Sequence, residues 1–284
     1  MKLAISGGTG LIGSRLEKEF SSKGWEVVLL SRSELLSEEL LLEKTEGSDI
    51  IINLAGATIA QRWTQSTMKE IYDSRILTTQ RLVQIIHSLK HPPKLFISTS
   101  ATGIYENGGP YTESNALLST SFLGKVCQDW EREAFKAEDL CRLVIFRLGV
   151  VLDSNGGALK KLLPVFKAGL GGRIASGRQF FPWVHITDVV RAFISVIDND
   201  SLKGVYNLTA PQIITNKEFT MTLAEILHRP AVFPVPAFVL RLMYGKGSMM
   251  LTEGQAVLPR RLMDSGFSFH FPMIKMALKY TLNK

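Results

Sequence analysis

Short unbroken apolar runs alternate along this chain with longer stretches in which apolar residues recur every three or four positions. The runs at 2–6, 25–30, 49–53 and 94–97 each end in small or polar residues. Such runs read as strands buried on both faces, and the intervening stretches as the helices that cover a parallel sheet. Ile12, Leu16 and Phe20 share one helical face, with Lys23 and Gly24 as the stop. Residues 63–88 keep a helical period through Met68, Ile71, Tyr72, Arg75, Leu82 and Ile86, and Pro92-Pro93 closes it. The stretch 35–42 is acidic and leucine-rich. Further on, 146–152 ends the first sheet section, 159–168 is an amphipathic helix, and His185 and Asp188 open a helix to Asp198. Residues 205–208 form a late strand, Asn216 caps a helix through Leu227, and 230–236 runs extended between prolines. The expected fold is α/β: a doubly wound parallel sheet on residues 1 to about 150, rejoined by roughly 183–209, with a small C-terminal lobe from 151–182 and 210–284.

The first strand runs straight into Gly7-Gly8-Thr9-Gly10-Leu11-Ile12-Gly13, which opens a helix. Gly7 lets the chain turn out of the strand, Gly10 lets the backbone approach a pyrophosphate, and Gly13 allows close packing of helix and strand. The unpaired N–H groups of the helix start, around Thr9, Leu11 and Ile12, favour negative charge. The second strand ends at Ser31-Arg32-Ser33, where a dinucleotide site discriminates between cofactors. Arg32 suits a two-pronged grip on the 2′-phosphate of NADP, whereas Glu34, two residues on, is the rival that would hold NAD ribose hydroxyls. NADP(H) is the expected cofactor. The third strand ends in Asn53-Leu54-Ala55-Gly56, small enough for a cofactor to come close, and the fourth in Ser98-Thr99-Ser100 with Tyr105 beyond.

Composition narrows the picture. At 284 residues and 45% hydrophobic content the chain can bury a large core, and its two cysteines, Cys127 and Cys141, fit a reducing compartment without a metal site. No apolar run approaches the roughly 18 residues of a membrane span, and the chain starts as a strand, so neither membrane nor leader segment is expected and the cytoplasm is the expected location. The net charge is +7; residues 241–284 hold seven Lys or Arg against two acids, a net +5. That segment is either a solvated basic surface or a lobe facing an anionic ligand. Nucleic acid is disfavoured, because no binding motif accompanies the charge.

The Gly7–Gly13 turn, Asn53-Leu-Ala-Gly56 and Ser98-Thr-Ser100 with Tyr105 resemble the extended short-chain dehydrogenase/reductases, the nucleotide-sugar epimerase and dehydratase group, whose nucleotide domain is Rossmann-like. Arg62-Trp63-Thr64, Ser74-Arg75, Trp130-Glu131, the 146–152 run, Trp183-Val-His, Tyr206-Asn-Leu-Thr and Pro259-x-Arg261-Leu262 narrow the resemblance to an atypical epimerase family with a characteristic C-terminal extension. The parent enzymes use a Tyr-x-x-x-Lys pair on one helix face, in which lysine lowers the tyrosine pKa and tyrosine shuttles a proton as hydride moves. Against Trp130-Glu131 as anchor, Leu123 stands at the tyrosine position and Cys127 at the lysine position; one turn of sliding offers Ser121 and Lys125.

Three functions fit. The first is an NADP-dependent oxidoreductase or epimerase-like enzyme on a small anionic substrate, such as a nucleotide sugar, with Ser100, Tyr105 and Lys125 as the catalytic set and Arg173 and Arg178 holding the substrate. The second is a sensor or scaffold that keeps NADP(H) binding without catalysis. The third is a basic surface for an acidic partner. A homodimer is compatible with each.

Overall fold

The computed structural model describes residues 1–282; Lys284, counted above in the basic segment, lies outside the described residues. Strands β1 (Lys2–Ser6), β2 (Glu26–Leu30), β3 (Ile50–Asn53), β4 (Leu95–Ala101), β6 (Arg142–Leu148) and β9 (Gly204–Leu208) form one parallel sheet in the order β2-β1-β3-β4-β6-β9. Two small parallel pairs flank it: β5 (Gly108–Tyr111) with β10 (Gln255–Val257), and β7 (Val150–Leu152) with β8 (Trp183–His185). The doubly wound sheet read from the sequence is thus present. Its order reverses between β1 and β3, which opens a crevice at their carboxyl ends.

Alternation along the strands divides the core in two. Leu3 and Ile5, Ile50 and Ile52, Leu95 and Ile97, and Val144 and Phe146 face one side, against Leu16 and Phe20 of α1 (Leu11–Ser22) and Val189, Phe193 and Val196 of α7 (Ile186–Asp198). Ala4, Ile51, Phe96, Leu143 and Ile145 face the other. There they meet Leu35 of α2 (Arg32–Leu36), Leu41 of α3 (Glu38–Thr45), Leu82 and Ile86 of α4 (Gln65–Ser88), and Ala134 of α5 (Phe122–Phe135). A third cluster gathers Leu159, Leu163 and Phe166 of α6 (Gly157–Lys167), Phe219 and Leu223 of α8 (Asn216–Leu227), Trp183, and, past α9 (Ala237–Tyr244), α10 (Met249–Thr252) and α11 (Arg260–Asp264), Ile274 and Leu278 of α12 (Ile274–Leu282). No helix among the described residues is long and apolar enough to cross a membrane.

Three local expectations change. The stretch 35–42 is broken at Ser37, whose extended backbone and hydroxyl cap α3 by accepting from Leu40 N–H. β4 runs on to Ala101, because β6 pairs with it through the whole hydroxyl run, whereas β3 pairs with it only as far as Ser98. The cap of α8 is Thr215, in a capping box with Glu218, while Asn216 turns its side chain to accept from Ile174 N–H.

Below the carboxyl ends of β4, β6 and β9 lies a buried ion pair. Arg147 on β6 donates to both carboxylate oxygens of Glu131 on α5, at 2.8 and 2.7 Å, and also to the Tyr105 hydroxyl at 2.8 Å. The Tyr105 hydroxyl donates in turn to Asn207 on β9 at 2.6 Å. Burial works against the Arg147 charge, yet Glu131 and Tyr105 outweigh it and hold the guanidinium pKa above its ordinary value. Removing one partner leaves the other buried and unmatched, so Arg147→Met and Glu131→Gln are each expected to lower stability by about 3–5 kcal/mol in urea denaturation, with Arg147→Lys losing the fork geometry and falling between.

Candidate functional site

The site is built from the β1–α1 turn. Gly7 adopts φ +71°, and its N–H-bearing turn is closed by Gly10 N–H donating to Gly7 O at 3.0 Å. Gly13 is the tightest point: a Cβ there would lie 2.4 Å from Gly7 O and 2.5 Å from Gly8 Cα. A Cβ on Gly7 would meet the Leu54 carbonyl at 2.7 Å, so this turn also abuts the end of β3. Thr9 and Gly10 are exposed, Leu11 and Ile12 half-buried, and no side chain caps the start of α1. An open helix start beside bare glycine backbone is a cradle for an anion.

At the end of β2, Ser31 is the N-cap of α2 and Arg32 its exposed first residue. Glu34 is committed elsewhere: its carboxylate accepts from Ser31 N–H at 2.6 Å in a capping box, and those hydrogen bonds hold its pKa below the usual carboxylate value. That leaves Arg32 as the free charged group at this strand end. At the end of β3, Asn53 is buried between Ser6 and Thr79, Leu54 and Ala55 are half-buried, and Gly56 is exposed.

The expected catalytic set does not assemble. Tyr105 is wholly buried, stacked on Tyr111 at 5.4 Å, with its hydroxyl held by Arg147 and Asn207 as described. Burial raises its pKa above that of an ordinary phenol, against the lowering effect of Arg147. Partners from β6 and β9 hold its hydroxyl in the buried interior. Lys125 is exposed on α5, whose neighbours Val126, Cys127 and Trp130 turn inward, so it cannot tune the buried Tyr105. Ser98 and Ser100 are buried within β4, and neither hydroxyl has a nitrogen or oxygen partner. Ser100 instead faces the Cys127 thiol. Arg173 and Arg178 are exposed on the 169–181 excursion, where Arg173 bonds locally to Ser176 O. His185 caps α7 and bonds Thr281 of α12 at 3.0 Å, a joint between sheet and C-terminal helix.

Arg75 was read only as part of a helical period and a resemblance motif, yet it reaches the site. From α4 it donates to Ile71 O at 3.0 Å and Ala57 O at 3.1 Å, and its guanidinium lies 5.4 Å over the Trp130 ring. A Cβ on Gly56 would sit 3.0 Å from its Cζ. The signal that could have found it was Ser74-Arg75 together, since Ser74 also clamps this loop, accepting from Ala57 N–H at 2.9 Å.

Comparison with known proteins places the fold in a family. Residues 3–209 match the model of the NAD dependent epimerase/dehydratase family, and 235–281 match a domain of unknown function, DUF1731. An epimerase family protein of Staphylococcus saprophyticus is 38% identical over 289 residues, covering 97% of each chain. The crystal structure of human epimerase family protein SDR39U1 with NADPH superposes with a TM-score of 0.94 at 34% identity, covering all of both chains. A nucleoside-diphosphate sugar epimerase from Corynebacterium glutamicum superposes with a TM-score of 0.79 at 26% identity, covering 99% of this chain and 58% of that one. The chain belongs to the NAD dependent epimerase/dehydratase family.

The thiols give a pH test. Burial pushes Cys127 up to about 11, helped by Glu131, and burial does the same to Cys141. Both are neutral in the folded protein near pH 8 and are expected to react with a thiol reagent only after unfolding. As pH rises from about 9 towards 11 the unfolded chain releases these protons first, so stability falls across that window. Labelling of native protein at pH 8, or no loss of stability in that range for wild type relative to Cys127→Ala, contradicts the burial argument.

Proposed function

We propose that this member of the NAD dependent epimerase/dehydratase family binds NADP(H) across the carboxyl ends of β2, β1, β3 and β4 and serves redox or epimerase-type chemistry on a small anionic substrate of the nucleotide-sugar class. The observation that carries the reading is the pairing of a glycine cradle in which a Cβ on Gly7 or Gly13 would run into backbone with a strand end where Arg32 is free and Glu34 is spent on capping. The residues fit the cofactor. Gly7, Gly10 and Gly13 leave room for the pyrophosphate at the start of α1, Ser31 and Arg32 suit the 2′-phosphate, and Ala55 and Gly56 leave the crevice open beside β3. When bound, the cofactor supplies or accepts hydride. The NADPH named with the human relative supports the cofactor choice, and the sugar epimerase from Corynebacterium glutamicum supports the substrate class.

A second reading, retained cofactor binding without turnover, is favoured by one specific observation. The helix positions where the parent enzymes carry tyrosine and lysine hold Leu123 and Cys127, while Tyr105 is locked and Lys125 points to solvent. Turnover of NADPH over a panel of carbonyl compounds and nucleotide sugars separates the two: activity supports the first, and tight binding with no turnover of any substrate supports the second.

Calorimetric titration is expected to show NADPH bound more tightly than NADH. Arg32→Ala should cost about 1.5–3 kcal/mol for NADPH alone, and Glu34→Gln should leave NADH affinity unchanged, as its carboxylate serves the helix cap. Equal affinities that Arg32→Ala leaves equal contradict the assignment. Gly13→Val should remove the cofactor-induced rise in melting temperature.

A further inference from the structure

Charge and exposed apolar side chains are spread unevenly over this chain. Residues 154–182 and 228–252 together hold eight Lys or Arg and no Asp or Glu. The fold packs these two segments into one face of the small lobe. Arg229 donates to Lys167 O at 2.9 Å, Ile174 pairs with Val235, and Gly172 lies so close to Phe233 O that a Cβ would come within 1.7 Å of it. None of the eight cations takes part in an ion pair among the described residues. Beside them Leu170, Val232, Phe233, Phe238, Leu242 and Met243 are exposed. Phe238 and Leu242, one turn apart on α9, are 71% and 73% exposed while Leu240 between them is buried, so this helix turns an apolar side to solvent. Exposed apolar side chains gathered together and rimmed by one sign of charge mark a contact surface.

The complement sits on the same chain. At the β2 edge of the sheet, where α2 and α3 pack, residues 34–49 hold six acids against one lysine, although the chain as a whole carries +7. Glu34 serves the α2 cap and Asp49 pairs with Lys94, but Glu38, Glu39, Glu43 and Glu46 are exposed and none is in an ion pair among the described residues. Leu36, 68% exposed, and Leu40 stand among them. This is the acidic, leucine-rich stretch of the sequence, and the cofactor reading gives it no task.

We propose that the acid-free face of the lobe docks on the α2–α3 corner of a second copy of this chain, with Phe238 and Leu242 packing against Leu36 and Leu40 while the lobe cations face Glu39 and Glu43. The occupant is a second copy because the surface that matches the lobe in both charge and apolar content belongs to the chain itself. Opposite charge guides the approach, and apolar burial holds the contact. Two different surfaces meet, so a dimer leaves one of each unfilled and assembly continues past two copies or closes into a ring.

Sedimentation velocity of the full chain at rising concentration tests this. Wild type at low salt should associate past the dimer, and raising the salt to about 0.5 M should weaken association, since exposed charges are then screened over a few ångström. Two variants remove one surface each: Phe238→Ser with Leu242→Ser on the lobe, and Leu36→Lys with Glu39→Lys on the corner. Each alone should associate at least about tenfold more weakly than wild type. A mixture of the two keeps one intact surface of each kind and should form a 1:1 dimer that grows no further. Arg241→Gln and Glu43→Gln carry the test if the larger changes unfold the chain, and each should weaken association by about twofold to fivefold. Wild type that stays monomeric at every concentration reached, variants that associate as wild type does, or a mixture that stays monomeric overturns the proposal. Cosedimentation of monomeric wild type with phosphatidylserine vesicles, lost in the lobe variant, also overturns it, because the face is then a membrane contact.

Discussion

The structure depends first on the contact between Gly13 and the turn it packs against. With Gly7 O and Gly8 Cα within 2.5 Å of where any Cβ would be, α1 is seated directly on the β1 turn. That seating points the open start of α1 at the reversal between β1 and β3, and it turns Leu16 and Phe20 onto the sheet face shared with α7. Phe20 then stacks on Trp25 at 4.9 Å as the chain returns into β2. The same helix fixes the entrance to the next section: Arg15 pairs with the buried Asp153 at 2.7 Å, and Leu11 fills the space that a side chain at Gly156 would need. One close contact thus sets the anion cradle, one half of the core, and the loop that leads from β7 into α6.

What the sequence made readable was local. Five strands of the main sheet were legible because strands of a parallel sheet are largely apolar runs, while β6 begins at Arg142, ahead of the 146–152 run; the glycine turn is legible because its residues are contiguous. The hydroxyl run was legible as a strand end but misjudged in length, since pairing with β6 carried β4 onward to Ala101. Tyr105 was unreadable as a core residue because its partners lie far off in sequence: Arg147 is 42 residues away and Asn207 is 102. Arg75 failed for the opposite reason. It sits at a helical-period position, and periodicity alone does not distinguish a residue that packs inward from one that passes beside the helix to meet a loop.

The basic charge of the C-terminal stretch also changes meaning once its partners are known. Arg261 donates to the carbonyls of Lys203 and Val205 and lies 4.4 Å over the Tyr206 ring, so it ties α11 to β9. Lys275 pairs with Glu225 and Arg260 with Asp264. Backbone and polar contacts bind the same stretch to the sheet: β10 pairs with β5, Asn207 donates to Leu258 O, and Asp188 accepts from the N–H groups of His270 and Phe271. Charge that looked available for an anionic partner is in good part spent on holding the extension against β9 and α7. The exposed pairs among these add little stability, and the buried Asp188 contacts matter more.

The remaining question is what acid or base chemistry such a crevice can support. The Tyr105 hydroxyl receives a hydrogen bond from Arg147 and gives its own proton to Asn207, so both of its functions are occupied in a buried site. Arg147 is fixed in charge by Glu131, and Cys127, with its pKa near 11, stays protonated through the physiological range. Ser100 has a hydroxyl but no base beside it, since its neighbour is that neutral thiol. These groups can orient and polarise, but none of them changes protonation near pH 7 as a proton shuttle must.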